Sequence, residues 1–390
     1  MPQRNNGRTR RLRRSLTQLL TGFWFANLLI MPVWGVETDP AMMMPGASKS
    51  LLLDVAAAGE RLVAVGERGH ILYSDNAGDS WTQARVPTSV MLTRVLFRDA
   101  KNGWAVGHDG NILFSSDGGA SWELQRDGVS DQLNINKDRV SRSQQTLREL
   151  RAKLEVASDD RVATLEPDLE DAEYALERAQ QAMSDPVYAP PLMAIGFCGK
   201  RGWASGGFGV LLSTSTDGRQ WEDYSYAVNN DEELHLNGIT ADSAGGLFIA
   251  SEWGYIFRST CSGKTWEAIE TGYDGSFFGV VVNPATDSVF AYGLLGTIYR
   301  SRDRGATWEE LDSGTASSLF GAVATANGAL VMVGLNGTAV ASRDDGDTFI
   351  SLELGSNRDL YGVAPTGSAA FTAVGRGGSI NFVIDDESAR

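Results

Sequence analysis

Residues 103–122 read Gly-Trp-Ala-Val-Gly-His-Asp-Gly-Asn-Ile-Leu-Phe-Ser-Ser-Asp-Gly-Gly-Ala-Ser-Trp. This stretch joins two apolar, strand-like segments through a Gly-x-x-Gly turn. It ends in the pattern Ser/Thr-x-Asp-x-Gly-x-Ser/Thr-Trp, which we call the Asp-box. The same order recurs along the chain, so the stretch is one copy of a repeat. Other Asp-boxes end at Trp308 and, in weaker copies, at Trp81, Trp221, Trp266 and Phe349.

The spacing of the turns predicts seven repeating units. The second glycine of each turn lies at Gly69, Gly110, Gly209, Gly254, Gly296, Gly337 and Gly378. Five of the six intervals span 41 to 45 residues and one spans 99, which indicates an insertion of about 58 residues. Each unit holds four short strands, the size of a propeller blade, and a blade buries both faces only by stacking on neighbours. We therefore predict an all-β, seven-bladed β-propeller.

The recurring residues are interpreted as structural. Glycine supplies the positive φ that tight turns need. In the Asp-box, the carboxylate is expected to accept backbone N–H bonds inside the turn while the aromatic ring packs between blades. We assign this role to Asp117, Trp122, Asp303, Trp308, Asp344 and Phe349.

The two ends of the repeat array are expected to meet. The seventh unit has three predicted strands within residues 360–383, and a polar tail follows at residues 385–390. A missing outer strand leaves an open edge. Residues 36–48 precede the first strand, and we predict that they form the strand that closes the last blade. Blades one and two then occupy residues 49–128, and blades three to seven residues 191–384.

Residues 129–190 lose the β pattern and are predicted to form an antiparallel α-helical hairpin. Two heptad stripes, separated by Ser158-Asp159-Asp160, are expected to pack on each other as in a coiled coil. Pro167 is placed in the first turn of the second helix. The whole hairpin projects as an arm, which indicates a contact with another molecule. The stripes are Val140, Ser143, Leu147, Leu150, Leu154 and Ala157, and Leu165, Leu169, Ala172, Leu176, Ala179 and Met183.

Strand order places the Gly-x-x-Gly turns and the hairpin on one face, called the turn face, and the Asp-box turns on the opposite face, called the Asp-box face. Large apolar residues inside the turns of blades three to six form a set that we call the apolar arc: Phe208, Trp253, Leu294, Leu295 and Leu335. Exposed apolar patches mark interaction surfaces, so the apolar arc is a candidate partner-binding site. Alternatively, these side chains fold inward and plug the central channel. Asp54 and Arg94, at equivalent inner positions, are expected to form a structural ion pair at that channel.

The first 35 residues resemble an export signal. Six arginines without an acidic residue precede an apolar run from Leu16 to Ile30 and the small-residue exit at Gly35. This order predicts a signal peptide at residues 1–35, by the Sec or the twin-arginine route, rather than a membrane span, for which the run is short. Without those six arginines, 28 of the 34 Lys and Arg residues remain against 49 acidic residues, so the processed chain has a net charge near −21. A charge of this sign argues against nucleic-acid binding. Cys198 and Cys261 are candidates for a disulfide.

Residues 103–122, together with the common register of all seven units, resemble the photosystem II stability/assembly-factor family of Asp-box propellers. The resemblance covers residues 50–384 apart from the insertion. It implies an exported, non-enzymatic propeller that binds a membrane-protein partner and assists its assembly, in the thylakoid lumen if the organism is photosynthetic. The helical insertion followed by Pro190-Pro191-Leu192-Met193-Ala194-Ile195-Gly196-Phe197 is similar to a bacterial periplasmic branch. That branch implies a resistance–nodulation–division permease or another envelope complex as partner.

A glycosidase of the sialidase type is the enzyme alternative, because such enzymes also carry Asp-boxes. It requires an arginine triad for the substrate carboxylate and a set of catalytic acids. The candidate acids Glu252 and Glu267 lie within structural repeats, and the early Arg-Ile-Pro signature of sialidases is absent. His70, His108 and His235 lack metal-ligand spacing, so no metal or cofactor is predicted. The candidate arginines are Arg94, Arg98, Arg258, Arg300 and Arg358.

Overall fold

The structure is a computed structural model that describes residues 39–260 and 263–384. The described residues form seven antiparallel sheets, numbered 1 to 7 in chain order, and each pairs its strands in the order of the sequence. Sheets 1 to 6 have four strands and sheet 7 has three. The predicted four-stranded repeat is therefore confirmed. The predicted signal segment, residues 1–35, and the tail, residues 385–390, lie outside these residues.

The strands have the following bounds. Sheet 1 contains β1 (Leu52–Ala58), β2 (Arg61–Gly66), β3 (Ile71–Ser74) and β4 (Thr82–Gln83). Sheet 2 contains β5 (Leu92–Phe97), β6 (Gly103–Gly107), β7 (Ile112–Ser115) and β8 (Glu123–Arg126). Sheet 3 contains β9 (Leu192–Cys198), β10 (Arg201–Gly206), β11 (Leu211–Thr214) and β12 (Glu222–Asp223). Sheet 4 contains β13 (Leu236–Ala241), β14 (Leu247–Ser251), β15 (Tyr255–Ser259) and β16 (Glu267–Glu270). Sheet 5 contains β17 (Phe277–Val282), β18 (Val289–Gly293), β19 (Ile298–Ser301) and β20 (Glu309–Leu311). Sheet 6 contains β21 (Leu319–Ala324), β22 (Leu330–Gly334), β23 (Ala339–Ser342) and β24 (Ile350–Ser351). Sheet 7 contains β25 (Leu360–Pro365), β26 (Ala370–Gly375) and β27 (Gly378–Val383).

The sheets form a closed cycle. The first strand of each sheet contacts the first strand of the next, and β25 of sheet 7 contacts β1 of sheet 1. Each of the seven interfaces between neighbouring sheets has its own apolar cluster. Trp122 of sheet 2, for example, is buried in a cluster with Val63 of sheet 1. The core is thus divided among the interfaces, as expected for units that stack in order.

The Asp-box turns place a glycine against the preceding sheet. Gly305 in the turn of sheet 5 has φ +82°, and a methyl group on it would lie 2.7 Å from Cε1 of Phe248 in sheet 4. In the same way, Gly119 in the turn of sheet 2 lies against Val63 of sheet 1, and Gly218 in the turn of sheet 3 lies against Trp104 of sheet 2. The glycine therefore serves both the backbone conformation and the close approach of two sheets.

The N-terminal segment differs from the prediction. Residues 39–48 contain no strand, so sheet 7 keeps three strands within the described residues. The segment is instead bonded to sheet 1, where Ala41 N donates to Val86 O at 3.0 Å and Met44 N to Gln83 Oε1 at 2.9 Å. The predicted closing strand is therefore not seen in residues 39–48, because their hydrogen bonds go to Gln83 and Val86 at the outer end of sheet 1, although Ser48 O lies beside Gly378 of sheet 7.

Side chains close the cycle between sheets 7 and 1. Trp81 Nε1 donates to Ser379 Oγ at 3.0 Å, and Thr372 Oγ1 donates to Ala77 O at 3.1 Å. Asn381 Nδ2 donates to an oxygen of Asp79 at 3.1 Å. These contacts place the Asp-box turn of sheet 1 on sheet 7, as at the other interfaces, so closure requires no shared strand.

The helical hairpin is present, with α1 at Gly128–Glu155 and α2 at Asp159–Ser184. The helices contact each other along the predicted stripes, where Leu147, Ala172 and Ala179 are buried, although Met183 is exposed. Asp127 caps α1 by accepting from Val129 N at 3.1 Å. Pro167 lies inside α2 rather than in its first turn. That placement was wrong because the helix begins within the predicted Ser158-Asp159-Asp160 turn.

Candidate protein-binding face

The turns between the second and third strands lie on one face because the strands of each sheet alternate in direction. The α1 helix begins on the same face, since a methyl group on Gly110 would lie 3.2 Å from Gly128 Cα and 3.5 Å from Ala189 Cβ. Both ends of the hairpin therefore meet the turn of sheet 2. The ion pair between Arg139 and Asp223, at 3.6 Å, joins α1 to the outer strand of sheet 3. The predicted common face of hairpin and turns is confirmed.

One residue in each turn adopts the left-handed backbone conformation, which bulky L-residues rarely occupy. In sheets 3, 4 and 5 this residue is Phe208 (φ +55°), Trp253 (φ +53°) and Leu295 (φ +56°). The equivalent positions in sheets 1, 2 and 6 hold Arg68, Asp109 and Asn336, and sheet 7 has Gly377. Local strain combined with a large apolar side chain is therefore confined to three neighbouring sheets.

Four members of the apolar arc point into solvent. The exposed fraction is 52% for Phe208, 58% for Trp253, 38% for Leu294 and 68% for Leu295. Leu335 is only partly exposed. None of the four lines the central cavity, which argues against the alternative in which these side chains plug the channel. That the apolar arc binds a partner stays a prediction.

The exit of the hairpin extends the apolar arc. Tyr188, which follows α2 and is 60% exposed, contacts Phe208 edge to face at 6.4 Å between ring centroids. Phe208 also contacts the ring of His235 at 5.0 Å. His235 Nδ1 and its backbone N both lie within 2.9 Å of Oε2 of Glu252, the residue before Trp253. The turns of sheets 3 and 4 are thus connected through one chain of side chains.

A second, mainly apolar set of residues at the turn-face ends of the first strands was missed from the sequence. The first strand of every sheet has a β-bulge near its turn-face end, and the bulged residue is partly exposed. Phe278 stacks on Phe320 at 5.0 Å, and Phe320 contacts Tyr361 at 5.4 Å. The Leu/Phe-x-Gly pattern at the start of the first strands of sheets 4 to 7 is the signal that could have revealed the bulges there. The bulged residues are Leu53, Thr93, Met193, Asn237, Phe278, Phe320 and Tyr361.

Inside the channel, Asp54 and Arg94 form the predicted pair. Arg94 Nη1 lies 3.5 Å from Asp54 Oδ1, and Asp54 Oδ2 accepts from Val95 N at 2.9 Å, which joins sheets 1 and 2. Burial raises the pKa of Asp54, against the opposing effect of Arg94. Tyr292 is buried beside them, and these groups line a cavity of about 360 Å³ with otherwise mainly apolar walls.

The residues required by the glycosidase alternative are not brought together. Arg98 pairs with Asp217, Arg258 with Glu267 at 2.6 Å, and Arg300 with Glu309 and Asp347, both at 2.7 Å. Glu252 is bonded to His235 on the turn face, whereas Glu267 starts the last strand of sheet 4 at the Asp-box end. Arg358 donates to Gly377 O. The candidate arginines therefore belong to separate ion pairs and turns instead of one carboxylate site.

The Asp-box residues have the predicted geometry. Asp117, Asp303 and Asp344 each accept a backbone N–H from the residue four positions later, at 2.9, 2.8 and 2.9 Å. Hydrogen bonds from the hydroxyl and the amide of Thr307 lower the pKa of Asp303 to about 2. Trp122, Trp308 and Phe349 lie in or against the clusters between neighbouring sheets.

Two kinds of feature are absent from the described residues. No group of three or more His, Cys, Asp or Glu there is placed to hold a metal ion. None of the helices in the described part of the chain is long and apolar enough to cross a membrane. Cys261 lies outside the described residues, so its pairing with Cys198 stays a prediction.

Comparison with known families supplies the family. The family model described as "Photosynthesis system II assembly factor YCF48" matches residues 73–146 and 183–390, on either side of most of the hairpin. This chain belongs to that family. The match covers more than half of the chain, and the interruption coincides with the helical insertion. No match to the chain was found among curated proteins.

Solved structures support the fold. YCF48 bound to D1 peptide is 15% identical, with a TM-score of 0.58, over 88% of this chain and 96% of that one. YCF48 from Cyanidioschyzon merolae is 14% identical, with a TM-score of 0.55, over 87% and 97%. The WD40 β-propeller domain of Doa1 is 10% identical, with a TM-score of 0.57, over 89% and 97%. At these identities the likeness shows a propeller fold and nothing further.

Proposed function

We propose that this chain is an exported, seven-bladed, non-enzymatic propeller that binds a membrane protein and assists its assembly or docking. The seven sheets in a closed cycle support the blade number. The observation that carries the binding role is the apolar arc, which exposes large side chains in a strained backbone conformation on the face that bears the hairpin. Strain of this kind persists where the surrounding structure enforces it, and it clusters at binding sites.

Membership in the YCF48 family supports an assembly role. A solved protein of the same fold, YCF48, is bound to D1 peptide, which supports recognition of a polypeptide segment. Assembly of photosystem II in a photosynthetic organism is the second candidate, and family membership is the observation that favours it. The permease partner, export and a periplasmic location rest on the sequence patterns of residues 1–35 and 129–197 alone.

The test is crosslinking in membranes followed by affinity capture. The full-length protein is compared with a variant in which a short linker replaces residues 131–186, and with Trp253→Asn. Asparagine tolerates the left-handed conformation, so this substitution removes the indole without disturbing the turn. Arg68→Asn, at the same turn position of sheet 1 (φ +57°), is the matched control.

We expect a membrane protein to be captured by the full-length protein and by Arg68→Asn. Its recovery is expected to fall at least about tenfold with Trp253→Asn, which corresponds to the loss of an aromatic anchor worth about 1.4 kcal/mol or more. A set of captured proteins that neither Trp253→Asn nor removal of the hairpin changes would contradict the proposed binding face.

A further inference from the structure

The charged residues around the apolar arc in sheets 3 to 5 are mainly acidic. Residues 220–299, which form the outer strand of sheet 3, all of sheet 4 and most of sheet 5, contain 11 acidic residues but only two Lys or Arg, Arg258 and Lys264. Arg258 binds Glu267 and the backbone O of Arg304 toward the Asp-box face, and Lys264 lies in the Asp-box segment that ends at Trp266. The turn-face loops of this region therefore carry acidic groups without a Lys or Arg of their own.

Two acidic loops border the strained aromatic residues directly. A methyl group on Gly209 would lie 3.6 Å from Glu233 Cα, so the exposed run Asp231-Glu232-Glu233 lies against the turn that holds Phe208. A methyl group on Gly254 would lie 2.0 Å from Tyr273 O, so exposed Asp274 follows the residue that contacts the turn of Trp253. The acidic groups thus form a rim beside the apolar arc.

The remaining polar groups of the region do not neutralise this rim. Glu252 accepts from the backbone N and lies against the ring of His235, and Glu270 accepts from Tyr255 Oη at 2.9 Å. Arg139 of α1 reaches Asp223 at 3.6 Å, farther along the outer strand of sheet 3. Asp231, Glu232 and Asp274 have no ion pair among the described residues.

We infer that the apolar arc takes an extended polypeptide segment in which Lys or Arg is interspersed with aliphatic or aromatic residues. This inference rests on the proposed function and names the chemistry of its partner. The apolar side chains pack on Phe208, Trp253 and Leu295, and the cationic groups reach the rim of Asp231, Glu232 and Asp274. Opposite charges at the edge of an apolar contact raise the association rate and select among partners, more than they add affinity.

The experiment uses the full-length protein and three fluorescein-labelled peptides in anisotropy titrations. The peptides are Ser-Leu-Lys, Ser-Leu-Glu and Ser-Leu-Ser, each repeated four times. We expect the lysine peptide to bind at least about tenfold more tightly than the glutamate peptide at low salt, with the difference shrinking as salt screens the rim. Trp253→Asn is expected to weaken binding of the lysine peptide, whereas Arg68→Asn leaves it unchanged.

A second set of variants isolates the charge. The triple variant Asp231→Asn, Glu232→Gln, Asp274→Asn is expected to lose the preference for the lysine peptide. Its matched control neutralises three exposed acidic residues toward the Asp-box face, Glu60→Gln, Glu123→Gln and Glu222→Gln, and is expected to keep that preference.

The outcomes separate the inference from the proposed function. Equal binding of the three peptides, preference for the glutamate peptide, or failure of all three to bind overturns the inference about charge. In the crosslinking and capture experiment, the membrane protein can be lost with Trp253→Asn but still captured by the triple variant of Asp231, Glu232 and Asp274. In that case the proposed function stands and the inference about charge is wrong. If Trp253→Asn changes neither capture nor peptide binding, both fail.

Discussion

Trp253 combines two features that a protein surface usually avoids. Its backbone is in the left-handed region (φ +53°), a conformation that costs a non-glycine residue roughly 1–2 kcal/mol of free energy. The residue is 58% exposed, so burial of the indole does not offset that cost. Asn336 and Gly377 hold the equivalent position in sheets 6 and 7 without this conflict. The placement of Phe208, Trp253 and Leu295 therefore reflects the surface they form and not the needs of the turn.

At the same scale, Asp303 gives a prediction about pH. Its pKa is lowered from 3.8 to about 2 in the folded protein, so its contribution to the free energy of unfolding is present above about pH 4 and is lost as the pH falls toward 2. Asp303→Asn is expected to lower that free energy by about 1 kcal/mol at pH 6, a small value because the side chain is exposed, and by much less near pH 2, where the carboxyl is half protonated. Guanidinium unfolding of both proteins at several pH values measures this difference. If the two proteins differ in free energy of unfolding by the same amount at every pH, the charge of Asp303 does not contribute to stability.

Individual residues were predictable where their backbone role repeats. The Asp-box bonds follow from a local pattern that recurs, so Asp117 and Asp303 were assigned correctly. Leu335 was expected to be as exposed as its neighbours but is only partly so, because exposure depends on what the adjacent loops cover. The bulged residues such as Phe278 and Phe320 were missed since the Leu/Phe-x-Gly pattern that precedes them was interpreted only as strand, and the bulge itself becomes visible in the strand pairing.

Among the elements, the Asp-box turn links one sheet to the next through its glycine. Gly305→Ala adds a methyl group 2.7 Å from Phe248 as well as backbone strain at φ +82°, whereas Gly314→Ala, at φ +69°, meets nothing within 4 Å. In both variants the backbone strain is expected to lower the free energy of unfolding by about 1 kcal/mol. In Gly305→Ala, overpacking between sheets 4 and 5 is expected to lower the free energy of unfolding by roughly a further 1–3 kcal/mol. Urea unfolding of the two variants checks this, and equal losses would mean that the close approach of the sheets is not limiting.

The hairpin and the N-terminal segment show where prediction of elements succeeds and fails. Heptad spacing identified both helices because apolar residues at the helical period fall on one side of a helix and do not fit the two-residue period of a strand. The start of α2 was misplaced since Asp159 and Asp160 suit a turn and a first helical turn equally well. Residues 39–48 carry no periodicity, and their contacts with Gln83 and Val86 are set by an edge that exists only after sheet 1 has formed.

At the scale of the whole molecule, the ring is expected to be independent of its arm. The helices pack mainly on each other, and Gly128 and Ala189 both lie beside Gly110, so a short linker can span the gap left by removing residues 131–186. The linker begins with an aspartate, because Asp131 pairs with the buried Arg126 of sheet 2 at 2.9 Å. We predict that this variant keeps its β-sheet circular dichroism and a melting temperature within about 5 °C of the full-length protein, as for a loss below 1–2 kcal/mol in a chain of this size. Cooperative unfolding lost together with the arm would show that the hairpin stabilises sheets 2 and 3.

The sequence by itself determined the repeat, the number of units, the position of the insertion and the sidedness of turns and Asp-boxes, because each follows from spacing and from the alternation of strand direction. Tertiary structure decided how the cycle closes, which turn residues stay exposed, and which acidic loops lie beside Phe208 and Trp253. Those features depend on contacts between residues far apart in the chain, such as Trp81 with Ser379, and no local pattern encodes the distance between two sheets before they pack.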